Sequence, residues 1–427
     1  MADRSPRIDR RTALRATGGL VGTGTLPAIA GCLGGNGGDG SDDDGSGGDD
    51  GGEAPPPDDG ADVDYAVETV ADGFENPWGI AFLPGDGRLL VTERPGRLSL
   101  VDPADGTVEG VAGAPEVFPE GQGGLLDVAV HPDYPDDARV YLTYSATADG
   151  ERGATTHVGA GRLPLDGDDG PALDGFEAFF AAEPFREGAN HFGSRATFGP
   201  DGALFVTVGD RRDTNFGPDH VSQDRSTELG ATLRLTPDGD PHPENPFVDD
   251  PDAADALYSY GHRNPQAMAV RPETGGLWQC EHGEEDGDEI NVVERGGDYG
   301  WPVASEACRY GTDEPFAPAH DEREGVTAPV HYWPCGSGGF PPSGAVFYDG
   351  DAFPEWRGDL LAGTLAAQYL GRFTVDGDGL DATVTERDPL LDDREWRMRA
   401  VAVEPATGHL YVAVDDGDAP IARIVPA

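Results

Sequence analysis

Short bursts of alternating apolar and polar residues, each introduced by a turn, organise this chain. The segments "LPGDGRLLVTER" (83–94), "HPDYPDDARVYLTYS" (131–145) and "GPDGALFVTVGD" (199–210) share one form. So do "RPETGGLWQCE" (271–281), "YDGDAFPEWRGDLLAGTL" (348–365) and "EPATGHLYVAVDD" (404–416). Each places Asp, Gly or Pro in a turn and follows it with a strand that reads as apolar on one face. No stretch of ordinary helix length sustains a 3.6-residue apolar period, and 64 glycines and 37 prolines punctuate the chain. Roughly 50 to 80 residues separate successive units, room for one four-stranded sheet with variable loops. A β-sandwich would not repeat the unit six times. The pattern therefore predicts an all-β fold, a six-bladed β-propeller of four-stranded antiparallel sheets. In such a fold the innermost strands ring a channel, and a site at its mouth draws residues from several blades.

Residues 1–62 lie outside this pattern. The stretch "DRRTALRATGGLVGTGTLPAIAGC" (9–32) carries Arg10-Arg11, a modest apolar segment and then Ile29-Ala30-Gly31-Cys32. Residues 1–31 thus resemble a twin-arginine export signal ending in a lipobox, with the Cys32 thiol as the lipid acceptor. This predicts an exported protein held by its lipid at the extracellular face of the cell membrane. Residues 32–62 are rich in Gly and Asp, bury nothing, and read as a flexible tether. The propeller is expected to occupy residues 63–427.

Charge narrows the partners. With 80 acidic residues against 29 basic ones the formal net charge is −51, which repels nucleic acid and anionic membrane surfaces. Membrane attachment is then left to the lipid alone. Molar salt screens the self-repulsion of such a carboxylate-covered surface, so the composition reads as halophilic. Three cysteines follow Cys32. Export permits a disulfide, and Cys308 and Cys335, which bracket a loop-like region, are expected to pair and leave Cys280 over. No second ligand pair at zinc spacing accompanies Cys280 and His282.

Four polar features stand against this background. His191, in "NHFGSR" (190–195), precedes the third unit, and Asp210 ends the strand that follows. A carboxylate on one ring nitrogen would fix the tautomer and leave the other nitrogen as a general base; a structural histidine is the alternative. Arg263 and Asn264 precede Pro265 in "YGHRNPQAMA" (260–269), and Arg397 and Arg399 alternate onto one strand face in "RMRAVAV" (397–403). Three arginines at blade ends suit a multiply anionic ligand, or else pair with surplus carboxylates. Finally, "CEHGEEDGDEINVVERGGDYGWP" (280–302) packs carboxylates and turn carbonyls around glycines, an oxygen-rich setting for Ca²⁺ whose spacing is not that of an EF-hand.

Taken together, "QGGLLDVAVHPDY" (122–134), "NHFGSRATFGPDG" (190–202), "YGHRNPQAMA", "EHGEEDGDEINVVERGGDYGWP" and "REWRMRAV" (394–401) resemble the soluble sugar dehydrogenases that use pyrroloquinoline quinone (PQQ). This is the glucose/sorbosone dehydrogenase family, which includes the aldose sugar dehydrogenases, and the likeness runs in order from about residue 65 to 416. The resemblance implies a six-bladed propeller that binds PQQ and Ca²⁺. It also implies oxidation of aldose sugars to lactones, with hydride passing from the anomeric carbon to the quinone and electrons leaving to an acceptor the sequence does not name. By the same resemblance His191 is the base, Asp210 orients it, and Arg263 faces the reactive quinone oxygens. Asn264, Arg397 and Arg399 contact the tricarboxylate cofactor, the main-chain carbonyls of Gly283 and Glu284 hold Ca²⁺, and Gln122 and Trp333 line the sugar pocket. Three positions depart from the family pattern: Ala366 stands where some members place a cofactor-contacting lysine, Glu284 where proline is common, and Ser194 where glycine is usual. The missing lysine keeps a non-catalytic sugar- or ligand-binding propeller in view. A Ca²⁺-dependent lactonase is the remaining alternative, though it has no use for the arginines.

Overall fold

The computed structural model describes residues 63–165 and 170–427. The expected export signal (1–31) and tether (32–62), with Cys32, lie outside the described residues. Strand β1 (Tyr65–Phe74) comes first. The first complete sheet is β2 (Pro77–Phe82), β3 (Leu89–Glu93), β4 (Arg97–Val101) and β5 (Val108–Gly110), and the second is β6 (Leu125–Val130), β7 (Arg139–Ala146), β8 (Thr155–Arg162) and β9 (Asp174–Ala181). The third comprises β10 (Ala196–Phe198), β11 (Leu204–Val208), β12 (Ala231–Leu235) and β13 (Leu257–Tyr260). The fourth comprises β14 (Pro265–Val270), β15 (Leu277–Glu281), β16 (Glu289–Val292) and β17 (His331–Tyr332). The fifth comprises β18 (Pro342–Phe347), β19 (Leu360–Thr364), β20 (Leu370–Asp376) and β21 (Thr383–Glu386). The last holds β22 (Met398–Val403), β23 (Leu410–Val414) and β24 (Ala419–Pro426), completed by β1, which pairs antiparallel with β24 from Tyr65↔Pro426 to Phe74↔Ala419. The two ends of the described residues thus share one blade and close the six-bladed propeller.

Each of the six turn-strand units forms the hairpin between the first and second strands of one blade. The second strands bury both faces, as in β3, β11, β15, β19 and β23, where every residue is buried. Each sheet is sandwiched between two neighbours, so the polar positions of these strands are interior as well. They are satisfied across the gap. Thr143 Oγ1 in β7 donates to Ser194 O at 2.7 Å, Thr207 Oγ1 in β11 donates to Pro265 O at 2.9 Å, and Thr92 Oγ1 in β3 donates to Leu126 O. Each hydroxyl latches one blade to the innermost segment of the next.

Six apolar clusters fill the six gaps between blades. Trp78, Trp278 and Trp356 are the largest fully buried side chains, and burying a large apolar side chain contributes about 1.5–3 kcal/mol. Among the described residues the only helical elements are three-residue 3₁₀ turns, such as Val221–Gln223 and Pro354–Trp356. Cys308 and Cys335 form the expected disulfide, with Cα atoms 4.7 Å apart. Cys280 is a free buried thiol, pushed up to about 12 by burial.

The innermost hairpins lose register near the start of their first strand in five blades, at Pro77/Ile80, Leu125/Val128, Pro265/Ala267, Pro342/Ala345 and Met398/Ala400. Such bulges bend a strand and re-aim its side chains. All five lie at the same end of the channel, where Gln122, His191, Arg263, Asn264, Arg397 and Arg399 also stand.

Candidate active site

His191 sits at the channel mouth just before β10 in a left-handed conformation (φ 54°), which only a few per cent of non-glycine residues adopt. Its neighbours hold it there. The His191 amide donates to Gln122 Oε1 at 2.8 Å, and Gly209 packs so close that a Cβ there would lie 2.4 Å from His191 O. The imidazole Nδ1 lies 2.7 Å from Asp210 Oδ1. A carboxylate in that position accepts a hydrogen bond from Nδ1–H and leaves Nε2 with a free lone pair. Asp210 is itself fully committed: Oδ1 also accepts from the Arg212 amide at 2.7 Å, and Oδ2 accepts from Trp301 Nε1 at 2.9 Å. Burial works against the Asp210 charge, but His191 and Arg263 outweigh it and hold the carboxyl below its usual range. For His191 burial dominates, with Asp210 opposing it and Arg263 adding to it, and the imidazole falls below the ordinary histidine value. The pair is therefore a neutral imidazole against a carboxylate, a form able to accept a proton.

Arg263 is buried beside it. Its guanidinium lies 5.2 Å from the Trp301 ring centroid and donates from Nη2 to Glu284 Oε2 at 2.7 Å, while its backbone N–H donates to Glu281 Oε2 at 2.7 Å. Burial disfavours its charge, but Asp210 and Glu284 overcome that, and its pKa rises. Asn264 Oδ1 accepts from the Gly193 amide at 3.2 Å and so tethers the His191 turn to the fourth blade.

The loop from β15 to β16 forms the far wall. Gly283 N donates to Asp288 Oδ1 at 3.0 Å, and Phe340 N donates to Asp288 Oδ2 at 2.7 Å. Burial raises the Asp288 carboxyl to about 6. The carbonyls of Gly283 and Glu284 accept no backbone hydrogen bond among the described residues and are available to a hard cation. Only glycine fits at 283, where a Cβ would lie 1.9 Å from Asp286 O. Gln122, His191, Arg263, Asn264, Gly283 and Glu284 all line one cleft of about 270 Å³.

The remaining predicted residues lie elsewhere. Arg399 is buried on the sixth blade, donating to Gln266 Oε1 at 2.9 Å and to Asp415 Oδ2. Arg397 is half-exposed and 3.8 Å from the same carboxylate. Neither lines the cleft, yet the His282 imidazole lies in the field of Arg263, His191 and Arg399 together, which places Arg399 at the same mouth. Trp333 does not line the cleft. It stacks on Phe340 with centroids 4.3 Å apart, and its backbone receives the Gly287 amide at 2.6 Å, so it supports the 283–288 loop from beneath. Ala366 is exposed and offers no charge.

Three groups escaped the sequence reading, and a fourth, His282, entered it only beside Cys280 as a weighed zinc ligand. Trp301 bonds Asp210. His282 lines the cleft, and burial, then Arg263, hold it down at about 3. Arg94 donates from Nε to Gly123 O at 3.3 Å and from Nη2 to Gly121 O, gripping the turn that carries Gln122. Arg195 is a buried hub, donating to Asp127 Oδ1 at 3.0 Å, Arg399 O at 2.7 Å and Gln266 O at 2.7 Å. The only sequence signal for Trp301, Arg94 and Arg195 was membership in the quoted segments.

Fold and site together define a six-bladed propeller whose channel mouth carries an imidazole–carboxylate pair beside a buried guanidinium. The glucose/sorbosone dehydrogenase family model matches residues 74–423, and the chain belongs to that family. It is 36% identical over 360 residues to the aldose sugar dehydrogenase YliI of Escherichia coli (strain K12), across 84% of this chain and 92% of that protein. A crystal structure of a glucose dehydrogenase matches with TM-score 0.76 at 40% identity, covering 85% of this chain and 99% of the other. The PQQ-bound aldose sugar dehydrogenase of Streptomyces coelicolor matches with TM-score 0.66 at 29% identity, covering 87% and 99%. Members of the family are sugar dehydrogenases, that is, oxidoreductases.

Proposed function

We propose that this protein oxidises aldose sugars to lactones with PQQ and Ca²⁺ bound at the channel mouth. The observation that carries the reading is the His191–Asp210 pair, 2.7 Å apart and in one cleft with Arg263. The polar groups of the mouth suit an anionic cofactor: Arg263 Nε, Arg399 Nε and His282 Nε2 are buried without a hydrogen-bond partner. Arg263, Asn264, Arg397 and Arg399 would hold PQQ, and the carbonyls of Gly283 and Glu284 would hold Ca²⁺. When bound, PQQ supplies the carbonyl group that accepts hydride.

His191 Nε2 takes the proton of the anomeric hydroxyl, and Asp210 fixes the ring and stabilises the imidazolium that results. Arg263 sets a buried positive charge where negative charge grows. Gln122 borders the cleft while its Oε1 holds the His191 backbone, so it couples the sugar side of the site to the base. Arg94 brings to this mouth a cation that Ala366 does not supply.

The test is a PQQ titration of the purified, Ca²⁺-loaded protein followed by dye reduction with a panel of aldoses. Saturable PQQ binding with aldose-dependent reduction is expected. PQQ binding without reduction by any aldose would favour a non-catalytic binding propeller, the reading that the exposed Ala366 keeps open. Export and lipid anchoring at Cys32 belong to the same proposal: Cys32→Ala is expected to release the protein from membranes, and membrane retention would contradict the anchor.

A further inference from the structure

The Glu284 side chain makes a contact that the proposed use of its main-chain carbonyl does not need. Its Oε2 accepts from Arg263 Nη2 at 2.7 Å, and the two side chains are 15% and 6% exposed. Among the described residues Arg263 is the only guanidinium lining the cleft, whereas four carboxylates line it: Glu284, Glu285, Asp286 and Asp288. Three of the four are tied to backbone amides that shape the surrounding loops. Asp286 accepts from Gly336 N at 2.7 Å, Asp288 accepts from Gly283 N and Phe340 N, and Glu285 accepts from Gly311 N. Glu284 is the one whose carboxylate bonds the cleft's own cation. Its carboxylate is bonded to no loop amide among the described residues, and the Arg263 guanidinium also lies 5.2 Å from the Trp301 ring centroid.

We infer that the Glu284 carboxylate is a built-in competitor for the anionic cofactor at Arg263, and that it sets the affinity of the site. The inference rests on the PQQ reading above. A buried, charge-assisted pair must be broken before an anionic oxygen of the cofactor can use the same guanidinium. The negative charge of Glu284 also repels a tricarboxylate across a site where water screens little.

The experiment is an equilibrium titration of PQQ into the Ca²⁺-loaded, otherwise intact protein, read by quenching of tryptophan fluorescence. Glu284→Gln keeps the shape of the side chain and removes its charge. It is expected to bind PQQ at least about tenfold more tightly than the parent, the scale of one charge-assisted contact. In an Arg263→Met background the same substitution is expected to bring less than half that gain on a logarithmic scale, because the competed group is gone. Thermal melting of each variant establishes that it is folded, and Glu284→Ala serves if the glutamine variant is not. Equal or weaker PQQ binding by a folded Glu284 variant, with the parent still binding PQQ, overturns this inference alone. Failure of both parent and variant to bind PQQ overturns the cofactor reading and this inference with it.

Discussion

Buried polar groups in the blades and at the channel mouth are treated differently by this fold. Within the blades, the hydroxyls of Thr92, Thr143 and Thr207 each donate across a gap to the next blade. At the mouth, Arg263 and His282 come from the fourth blade and Arg399 from the sixth, and each keeps one buried nitrogen without a partner. An unpartnered buried polar atom costs about 1–3 kcal/mol, so a cluster of them is retained where a ligand can satisfy it. Isolated cases elsewhere, such as Trp278 Nε1 and Trp356 Nε1, show that a single orphan is not a site. Convergence is what distinguishes the mouth. The blade groups hold the ring together, and the mouth groups offer the contacts that the proposed cofactor would use.

The largest effect should come from the hub joining these two regions. Arg195 lies 3.0 Å from buried Asp127, stacks 4.0 Å from the Trp78 ring, and bonds the backbone of Arg399. Burial already raises the Asp127 carboxyl, with Arg195 opposing it. Arg195→Met strands that carboxylate and should lower unfolding stability by about 3–5 kcal/mol in denaturant titration. A loss below about 1 kcal/mol would mean that the hub does not hold the blades.

A smaller loss tests the latches. Thr207→Val leaves Pro265 O and the Arg195 amide without the hydroxyl that now serves both, at 2.9 Å each. The expected cost is about 1–3 kcal/mol, with PQQ affinity unchanged. A stability-neutral Thr207→Val that weakens PQQ binding would erase the contrast between blade and mouth.

The smallest effect is a shift along the pH axis. In the proposed reaction His191 acts as a neutral imidazole, and burial holds its pKa below the ordinary 6.5. Protonation removes the base, so kcat/KM for an aldose should fall to half its plateau only below pH 6.5. Half-loss of kcat/KM at or above pH 6.5, assigned to His191 by its absence in a His191 variant, would contradict the burial argument.

Much of the ring was legible because each blade repeats its turn at the same hairpin. The His191–Asp210 pair was legible for a related reason, since both residues flank one hairpin of the third blade. What stayed hidden depends on distant partners. Strand β1 has largely exposed or half-buried positions and no turn-strand signature, and its pairing with β24 joins opposite ends of the chain. Trp301 reaches Asp210 across 91 positions, and Arg195 reaches Arg399 across 204. Trp333 was placed at the mouth by resemblance, yet Phe340 and the 283–288 loop draw it beneath the wall. Alternation in the second strands gave no warning that both faces are interior, because a threonine bonded to a neighbouring blade looks the same in sequence as one facing water.

The central claim is that His191 does chemistry while Arg399 holds the cofactor, and one paired measurement tests it. Dye reduction by His191→Ala and Arg399→Ala is followed with a saturating aldose, saturating Ca²⁺ and increasing PQQ. The account predicts that His191→Ala loses about 10² or more in kcat at every PQQ concentration while binding PQQ as the parent does. It predicts that excess PQQ restores most of the activity of Arg399→Ala. Equal rescue of both variants by excess PQQ would contradict it, making His191 a binding residue and leaving the reaction without its base.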